Sequence, residues 1–401
     1  MTTASSGPLD GVRVLELGNF IAGPFAGQLL GDYGADVIKV ESPGDGDPMR
    51  RWGVTREGDS LWWPTIGRNK RSIVLDLRHG SARQVAAGLA ERCDVVLENF
   101  RPGQLDRWGL SYEELAARNP QIVLVHVSGF GQTGPLAAQA GFGSVGEAMG
   151  GIRYTTGSPD RPPSRAGISL GDALASVFAV IGTLAALLRA RATGKGQEVD
   201  VAIYEAVAAL MESTMADFEL GGVTRTRSGS VLPGVAPSNV YPTSDGAEVV
   251  VAANADNVFV RLCDAMGRPE LATDPRFETH RGRGDNMAEL DSLVGAWTAT
   301  APCEGVLATL DAHGVPAGRI FTAPDMLTDP QYLARDMVRR LTSDQGWEVP
   351  MTGVVPRFTA TPGTIRHAGP ALGQHTDDVL RELLGMSCDE IASLRSDGAV
   401  G

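Results

Sequence analysis

Apolar and polar residues along this chain follow two periods, and the switches between them mark the elements. Residues 12–17 (Val-Arg-Val-Leu-Glu-Leu) read as a strand, 25–33 as a helix closed by Gly34, and 37–40 as a second strand ending at Glu41. Residues 69–77 alternate into another strand. Residues 81–92 form an amphipathic helix, and the apolar runs 93–97 and 122–127 read as buried strands. A glycine-rich loop spans 129–143 and a helix begins at 144. A strand over 198–203 and a helix over 204–219 follow. Alternating strands and helices predict an α/β fold whose first βαβ unit is of Rossmann type. After Gly221 the texture changes, and residues 224–242 are basic, polar and rich in Pro and Gly, as a linker is. Strands at 248–253 and 317–321 with helices at 258–266, 286–298 and 302–313 predict a smaller α/β domain. Strands at 337–341 and 349–352 and helices at 376–384 and 389–395 complete the chain. The expected division is 1–222 for the first part of a large domain, 223–330 for the linker and small domain, and 331–401 for a return to the large one.

The most apolar stretch follows Arg165-Ala166-Gly167-Ile168-Ser169-Leu170-Gly171-Asp172. From Ala173 to Leu188, Val177, Phe178, Ile181, Leu184 and Leu188 recur at helical spacing with Ala and Gly between them, which predicts a helix buried on most sides. About sixteen residues before Arg189 is short of the roughly twenty a membrane span needs. Asp172 stands at its start. An Asp there can be an N-cap. It can also be a reactive carboxylate, because the positive end of a helix favours the ionised form and the glycines before it let backbone approach a ligand. The residues alone allow both.

Composition narrows the function. The chain has 401 residues, 43% of them hydrophobic, enough for a large core. A net charge of −13 argues against a nucleic-acid partner and offers no basic face to a membrane, while leaving room for a locally positive pocket. The four cysteines, Cys93, Cys263, Cys303 and Cys388, are scattered and form no metal-binding pattern with the six histidines, as expected of reduced thiols. The first seven residues lack the basic and apolar regions of a signal peptide, so the cytoplasm is the expected location. His126, alternating within an apolar strand with no acid near it in sequence, reads as structural.

Several short motifs occur in a fixed order: Pro8-Leu9-Asp10-Gly11-Val12-Arg13-Val14-Leu15, Ala22-Gly23-Pro24, Gly34-Ala35-Asp36-Val37-Ile38-Lys39-Val40-Glu41 and Asn69-Lys70-Arg71-Ser72-Ile73. Then come Glu98-Asn99-Phe100-Arg101-Pro102-Gly103, Gly171-Asp172, Thr193-Gly194-Lys195-Gly196-Gln197-Glu198-Val199-Asp200-Val201 and Leu372-Gly373-Gln374-His375-Thr376. In this order they resemble the class III CoA-transferases, the formyl-CoA transferase-like CaiB/BaiF family, over nearly the whole chain. The resemblance implies a large Rossmann-like domain built from both chain termini, a smaller α/β domain, and an interlocked homodimer of two rings. It implies that Asp172 is the catalytic nucleophile. It also implies that Ala22, Leu75, Asp76, Leu77, Arg78, Asn99, Phe100, Arg101 and Arg107 hold coenzyme A. The substrates implied are an acyl-CoA and a small carboxylic acid, with no resident cofactor and no metal. A family Gln corresponds to Ile21 here and a family Arg to Ser42, so part of the CoA grip falls to other groups.

By the same resemblance, Asp172 attacks the donor acyl-CoA and passes through an aspartyl anhydride and an aspartyl-CoA thioester. Glycines in 129–143 and 229–234 are candidates for oxyanion donors and a lid. Lys70 and Arg71 suit the phosphates of CoA. Trp52, Trp62 and Trp63 could clamp a ligand or pack beneath their loop. Arg153, Tyr154 and Arg165 could pair with an acceptor carboxylate. Two other enzymes remain open, as does a non-catalytic CoA-binding protein, in which Asp172→Asn would leave all activity intact. An α-methylacyl-CoA racemase needs a His where this chain has Ala140-Gly141-Phe142-Gly143, and phenylalanine moves no proton. A nicotinamide-dependent oxidoreductase would use Glu41 on a ribose, but no GxGxxG precedes it.

Overall fold

The structure, a computed structural model, describes residues 7–401, and the expectation about a leader falls mainly on residues outside that range. The chain divides into two compact units. One comprises residues up to Ile152, Ala166–Ser213 and Pro330–Gly401, and the other Arg153–Arg165 and Thr214–Asp329.

The first unit is organised by a six-stranded parallel sheet. Its strands are β1 (Arg13–Glu16), β2 (Asp36–Glu41), β3 (Lys70–Val74), β4 (Val95–Glu98), β5 (Val123–Ser128) and β6 (Glu198–Ala202), in the spatial order β3-β2-β1-β4-β5-β6. Leu15 lies between Ile38 on one side and Val96 on the other. The strands are apolar on both faces because both are covered. Val14, Val37, Val95 and Val125 pack towards helices α1 (Ala22–Asp32) and α5 (Leu170–Thr193). Leu15, Ile38, Val96 and Leu124 pack towards α2 (Gly80–Glu91) and α3 (Tyr112–Arg118). Two further helices of this unit, α4 (Gly143–Met149) and α6 (Ile203–Ala208), precede and follow α5. The returning segment 330–401 adds a hairpin and two helices at the end of the chain. Val379, Leu380 and Ile391 of those helices join the second of the two cores, and Val400 bridges Leu75.

Helix α5 corrects an expectation twice. It runs 24 residues, from Leu170 to Thr193, and is long and apolar enough to cross a membrane by length and composition. It is also not buried on most sides. Its packed face carries small residues, Ala175, Ser176, Ala179, Thr183, Ala186 and Ala190, which let it approach the sheet and α1 closely. Three of the five large residues that signalled burial point outwards, Val177 at 42% exposed, Ile181 at 55% and Leu188 at 71%, while Phe178 and Leu184 pack half-buried against the core.

The second unit has a three-stranded antiparallel sheet of β7 (Ser238–Pro242), β8 (Glu248–Ala252) and β9 (Ala317–Arg319), with β8 in the middle. Helices α7 (Asp256–Ala265), α8 (Met287–Thr298) and α9 (Cys303–Ala312) cover it around Val249, Val251, Phe259, Leu290 and Leu310. Strand β7 lies inside the stretch expected to be a linker, whose Tyr241 faces this core. The single helix expected over 204–219 ends at Ala208, and a separate helix, Thr214–Gly221, belongs to the second unit. Residues 153–165, expected in the large domain, also cluster with the second unit.

Candidate active site

The strand order reverses between β1 and β4, and the loops leaving the carboxyl ends of neighbouring strands separate there. Open α/β sheets bind ligands at such a crevice. A cavity of about 310 Å³ opens at that edge. Leu17 and Asn19 after β1, Glu41 to Pro43 at the end of β2, Leu75 to Arg78 after β3, and Phe100 and Trp108 after β4 line it. The Phe100 and Trp108 rings meet edge to face at 5.1 Å. Arg78 is the only cation in the lining. Its guanidinium is held by Asp76 at 2.6 and 2.8 Å while the side chain stays 82% exposed. The Arg78 guanidinium in turn holds the Asp76 carboxyl below its ordinary range.

The loop from Gly18 and the first turn of α1 up to Pro24 are anchored at several residues by side chains from elsewhere in the unit. Asn99 accepts from the Asn19 N–H and donates to the Asn19 carbonyl, each at 2.8 Å. Lys39 donates to the Gly18 carbonyl, and Asp47 accepts from the Phe20 N–H at 3.2 Å. Lys70 donates to the Pro24 carbonyl at 2.7 Å. Phe20 adopts the left-handed region, with φ of 62°, a conformation a free loop rarely keeps. The two lysines are fully buried. Lys39 Nζ lies 2.8 Å from Asp47 Oδ2 and 3.2 Å from Glu16 Oε1, and Lys70 Nζ lies 2.8 Å from Glu16 Oε2. Burial alone would lower both pKa values. For Lys39 the surrounding carboxylates outweigh burial and raise it; for Lys70 burial prevails.

Asp172 is half-buried and sits third in α5, inside the helix; the N-cap position belongs to Ser169. The simple N-cap reading of Asp172 therefore does not describe it. The Ser176 hydroxyl, one turn on, lies 2.8 Å from the Asp172 carbonyl and 2.6 Å from that of Ala22, which joins this turn to the start of α1. The carboxylate lies against Gly143, the first residue of α4. A Cβ placed on Gly143 would stand 2.2 Å from Asp172 Oδ2, so any residue but glycine would displace the carboxylate. The neighbouring Gly171 rests on the Gly143 carbonyl, which a Cβ on Gly171 would approach to 2.8 Å, and its N–H donates to the buried Glu147 at 3.1 Å. Phe142 is 64% exposed and meets Phe20 edge to face at 6.2 Å; Phe20 meets Trp52 likewise at 5.7 Å.

Leu75, Asp76, Leu77, Arg78 and Phe100 thus share one cavity. Asn99 does not line it, and its amide is occupied by Asn19. Ala22 is buried at the start of α1, offering its carbonyl to Ser176. Arg101 lines a neighbouring cavity of about 250 Å³, and Arg107 is exposed and bonded to Gln104. Lys70 and Arg71 are not free for phosphates: Lys70 is buried on Glu16, and Arg71 pairs with Asp36 and Glu382. Glu41 is likewise occupied by Arg50, Ser72 and the Asp47 N–H, which leaves it no vacant oxygen for a ribose. Trp63 is buried beneath Arg50 and donates to the Pro370 carbonyl, and half-buried Trp62 packs against the same cluster, so of the loop tryptophans only Trp52 is left exposed. Arg153, Tyr154 and Arg165 fall in the second unit. Gly143 entered the sequence reading only as one of the 129–143 glycines, and Ser176, Asn19 and Trp108 were not singled out. The glycine-rich loop signalled the first without saying which glycine meets Asp172, and the others carry no signal.

Known proteins share this architecture and sequence. The profile of CoA-transferase family III matches residues 9–376. The chain is 55% identical to the succinyl-CoA–D-citramalate CoA-transferase of Chloroflexus aurantiacus over 97% of both chains. It is 38% identical to the alpha subunit of the succinyl-CoA–L-malate CoA-transferase of that organism, over 99% of this chain and 94% of the relative. A crystal structure of a CaiB/BaiF family protein from Brucella suis superposes with a TM-score of 0.83 at 38% identity, covering 95% of this chain and all of the other.

Proposed function

The chain belongs to CoA-transferase family III and is a CoA-transferase, and from that premise we propose that Asp172 is the nucleophile on which CoA is transiently carried. Exchanging one thioester for another costs little net free energy. The obstacle is kinetic, since a solvated carboxylate attacks a thioester poorly. In the proposed cycle an Asp172 carboxylate oxygen attacks the donor's acyl carbon, the C–S bond breaks, and CoA thiolate leaves a mixed anhydride. The thiolate then attacks the aspartyl carbonyl carbon, releasing the donor acid and forming the aspartyl-CoA thioester. The acceptor carboxylate attacks that carbon and expels the thiolate. The thiolate takes the acceptor's acyl group from the second anhydride and restores the Asp172 carboxylate. Every step exchanges one acyl bond for another, and no net proton is needed.

The observation that carries this reading is the seat of Asp172 against Gly143, with Phe142 beside it. The glycine lets backbone reach the reacting carboxylate. The exposed Phe142 ring and the half-buried Phe20 ring provide an apolar wall that limits water at an anhydride. The same Phe142 stands where a racemase would place a proton-transfer group, which favours transfer over epimerisation. We assign the adenosine end of CoA to the cavity at the sheet edge, with Phe100 and Trp108 offering rings to the base and Arg78 a cation to phosphate. Arg78 thereby takes over part of the grip that Ile21 and Ser42 do not supply. The names of the relatives support succinyl-CoA as donor and a small hydroxy-dicarboxylate as acceptor. The outward apolar face of α5 supports a homodimer, with Val177, Ile181 and Leu188 covered by a second copy. The free cysteines, three of them buried, support a cytoplasmic location.

Exchange of labelled succinate into succinyl-CoA tests the assignment. Asp172→Asn is expected to lower exchange by a factor on the order of 10³ or more while CoA still binds. Exchange at the wild-type rate in that variant would remove Asp172 from the chemistry.

A further inference from the structure

His126 was read as a structural histidine with no acid near it in sequence. The fold surrounds it with acids. On β5 its Nδ1 lies 2.5 Å from Oε1 of Glu98, the last residue of β4, and its Nε2 lies 3.2 Å from Oε1 of Glu198, the first residue of β6. The other oxygen of Glu98 accepts the Phe100 N–H at 2.5 Å. Between Glu98 and Phe100 lies Asn99, whose amide clamps both the N–H and the carbonyl of Asn19. Phe100 and Asn19 both line the cavity assigned to CoA. One hydrogen-bonded chain therefore runs from the sheet's edge strand to the two loops that frame that cavity.

We propose that His126 is a positioning residue for coenzyme A, which through Glu98 holds the 98–100 turn and makes CoA affinity fall as pH rises. The proposal rests on the cavity assignment above. Its physical basis is proton count. Both ring nitrogens face carboxylate oxygens, and two ionised carboxylates donate nothing, so the contacts hold only while two protons lie between the three groups. Whether the proton in the shorter contact sits on Nδ1 or on Glu98 leaves that count unchanged. When one leaves, the neutral ring keeps a single N–H for two carboxylates, so one of the two contacts is lost and the 98–100 turn is no longer tied through His126 to β6.

The other groups facing this site are mostly acidic. Asp200 of β6, Asp106 in the turn after β4, Tyr112 and Glu113 of α3, and the cation of Arg101 surround Glu98, His126 and Glu198. Burial alone would lower the His126 pKa, but its bonds to Glu98 and the charges of both glutamates outweigh this and raise it above the ordinary value. A group whose pKa is raised on folding gives its full contribution at low pH and loses it as pH rises through the raised value. Affinity for CoA is therefore strongest on the acid side and weakens as pH rises through that raised value.

Calorimetric titration of CoA from pH 6 to 9 reads this directly, with succinate exchange measured at saturating acyl-CoA. In the wild type, Kd is expected to rise about tenfold across the range, with kcat for exchange changing less than twofold. His126→Gln is expected to bind about tenfold more weakly at the acid end and to show no inflection. Glu198→Gln is half exposed at that position and safe for folding. It removes one of the two charges that hold the proton and moves the inflection to lower pH. A flat wild-type profile, or His126→Gln and Glu198→Gln profiles that follow the wild type, would overturn the proposal. Phe100→Ala in parallel separates the two claims. Weaker binding in Phe100→Ala with wild-type behaviour in His126→Gln rejects the relay and keeps the cavity. Unchanged binding in Phe100→Ala rejects the cavity and the relay with it.

Discussion

Gly143→Ala places a single methyl group against the proposed nucleophile. The added Cβ would lie 2.2 Å from Asp172 Oδ2, 2.7 Å from Cγ and 2.9 Å from Oδ1, all inside the 3.0 Å below which real Cβ contacts are not found. The α4 backbone has little room to retreat, because the Gly143 carbonyl is seated on Gly171 and Gly146 is packed against Ile203. The carboxylate must therefore turn away by on the order of 1 Å. A displacement of that size at a reacting atom costs roughly 10²-fold in rate, or about 2.7 kcal/mol of activation free energy. Gly143 has no left-handed backbone angle that alanine would strain, so the damage falls on the carboxylate rather than on the fold. Exchange of labelled succinate into succinyl-CoA is expected to show kcat down roughly 100-fold. Circular dichroism and the melting temperature should stay close to wild type. Full activity in a folded Gly143→Ala protein would refute the reasoning, since either the carboxylate is not where the chemistry occurs or its position is unimportant.

Two other substitutions probe the frame around the site. Lys39→Met leaves Glu16 and Asp47 buried with one fewer cation and frees the Gly18 carbonyl. Urea denaturation of the unit carrying the sheet should show a loss of about 3–5 kcal/mol, and a loss below about 1 kcal/mol would mean the cluster is neutral overall. Ile181→Glu combined with Leu188→Glu puts two charges on the outward face of α5. Light scattering is expected to find two chains per particle in the wild type and one in the variant. A two-chain particle in both would place the interface elsewhere.

The parallel sheet was legible because runs such as Ile122 to Val127 and Val37 to Val40 are too short for buried helices and too apolar for exposed strands. The second unit's antiparallel sheet was partly hidden. Strand β7 is enclosed in a Pro- and Gly-rich stretch, and only pairing with β8 reveals it. Helix α5 misled because its large residues divide between two faces: Val180 and Leu187 pack inwards among alanines and Ser176, while Ile181 and Leu188 look out. Periodicity records that a face is apolar, not what covers it.

At the site, strand-end residues such as Leu75 to Arg78 and Phe100 could be placed from motif order, since local sequence sets which loop they occupy. The long-range partners could not. Asn99 meets Asn19 across 80 residues, Ser176 meets Ala22 across 154, and His126 finds Glu198 only because β5 and β6 are neighbours. Lys70 looked like a phosphate ligand because nothing in its own segment announces Glu16 beneath it.

Covalent capture at Asp172 is the most direct measurement. The enzyme is incubated with succinyl-CoA, quenched in hydroxylamine, digested, and the peptide containing Asp172 is weighed by mass spectrometry. An aspartyl intermediate predicts a hydroxamate on Asp172 that depends on succinyl-CoA and is missing in Asp172→Asn. An active enzyme whose Asp172 peptide stays unmodified, or whose label sits on another side chain, would contradict the mechanism.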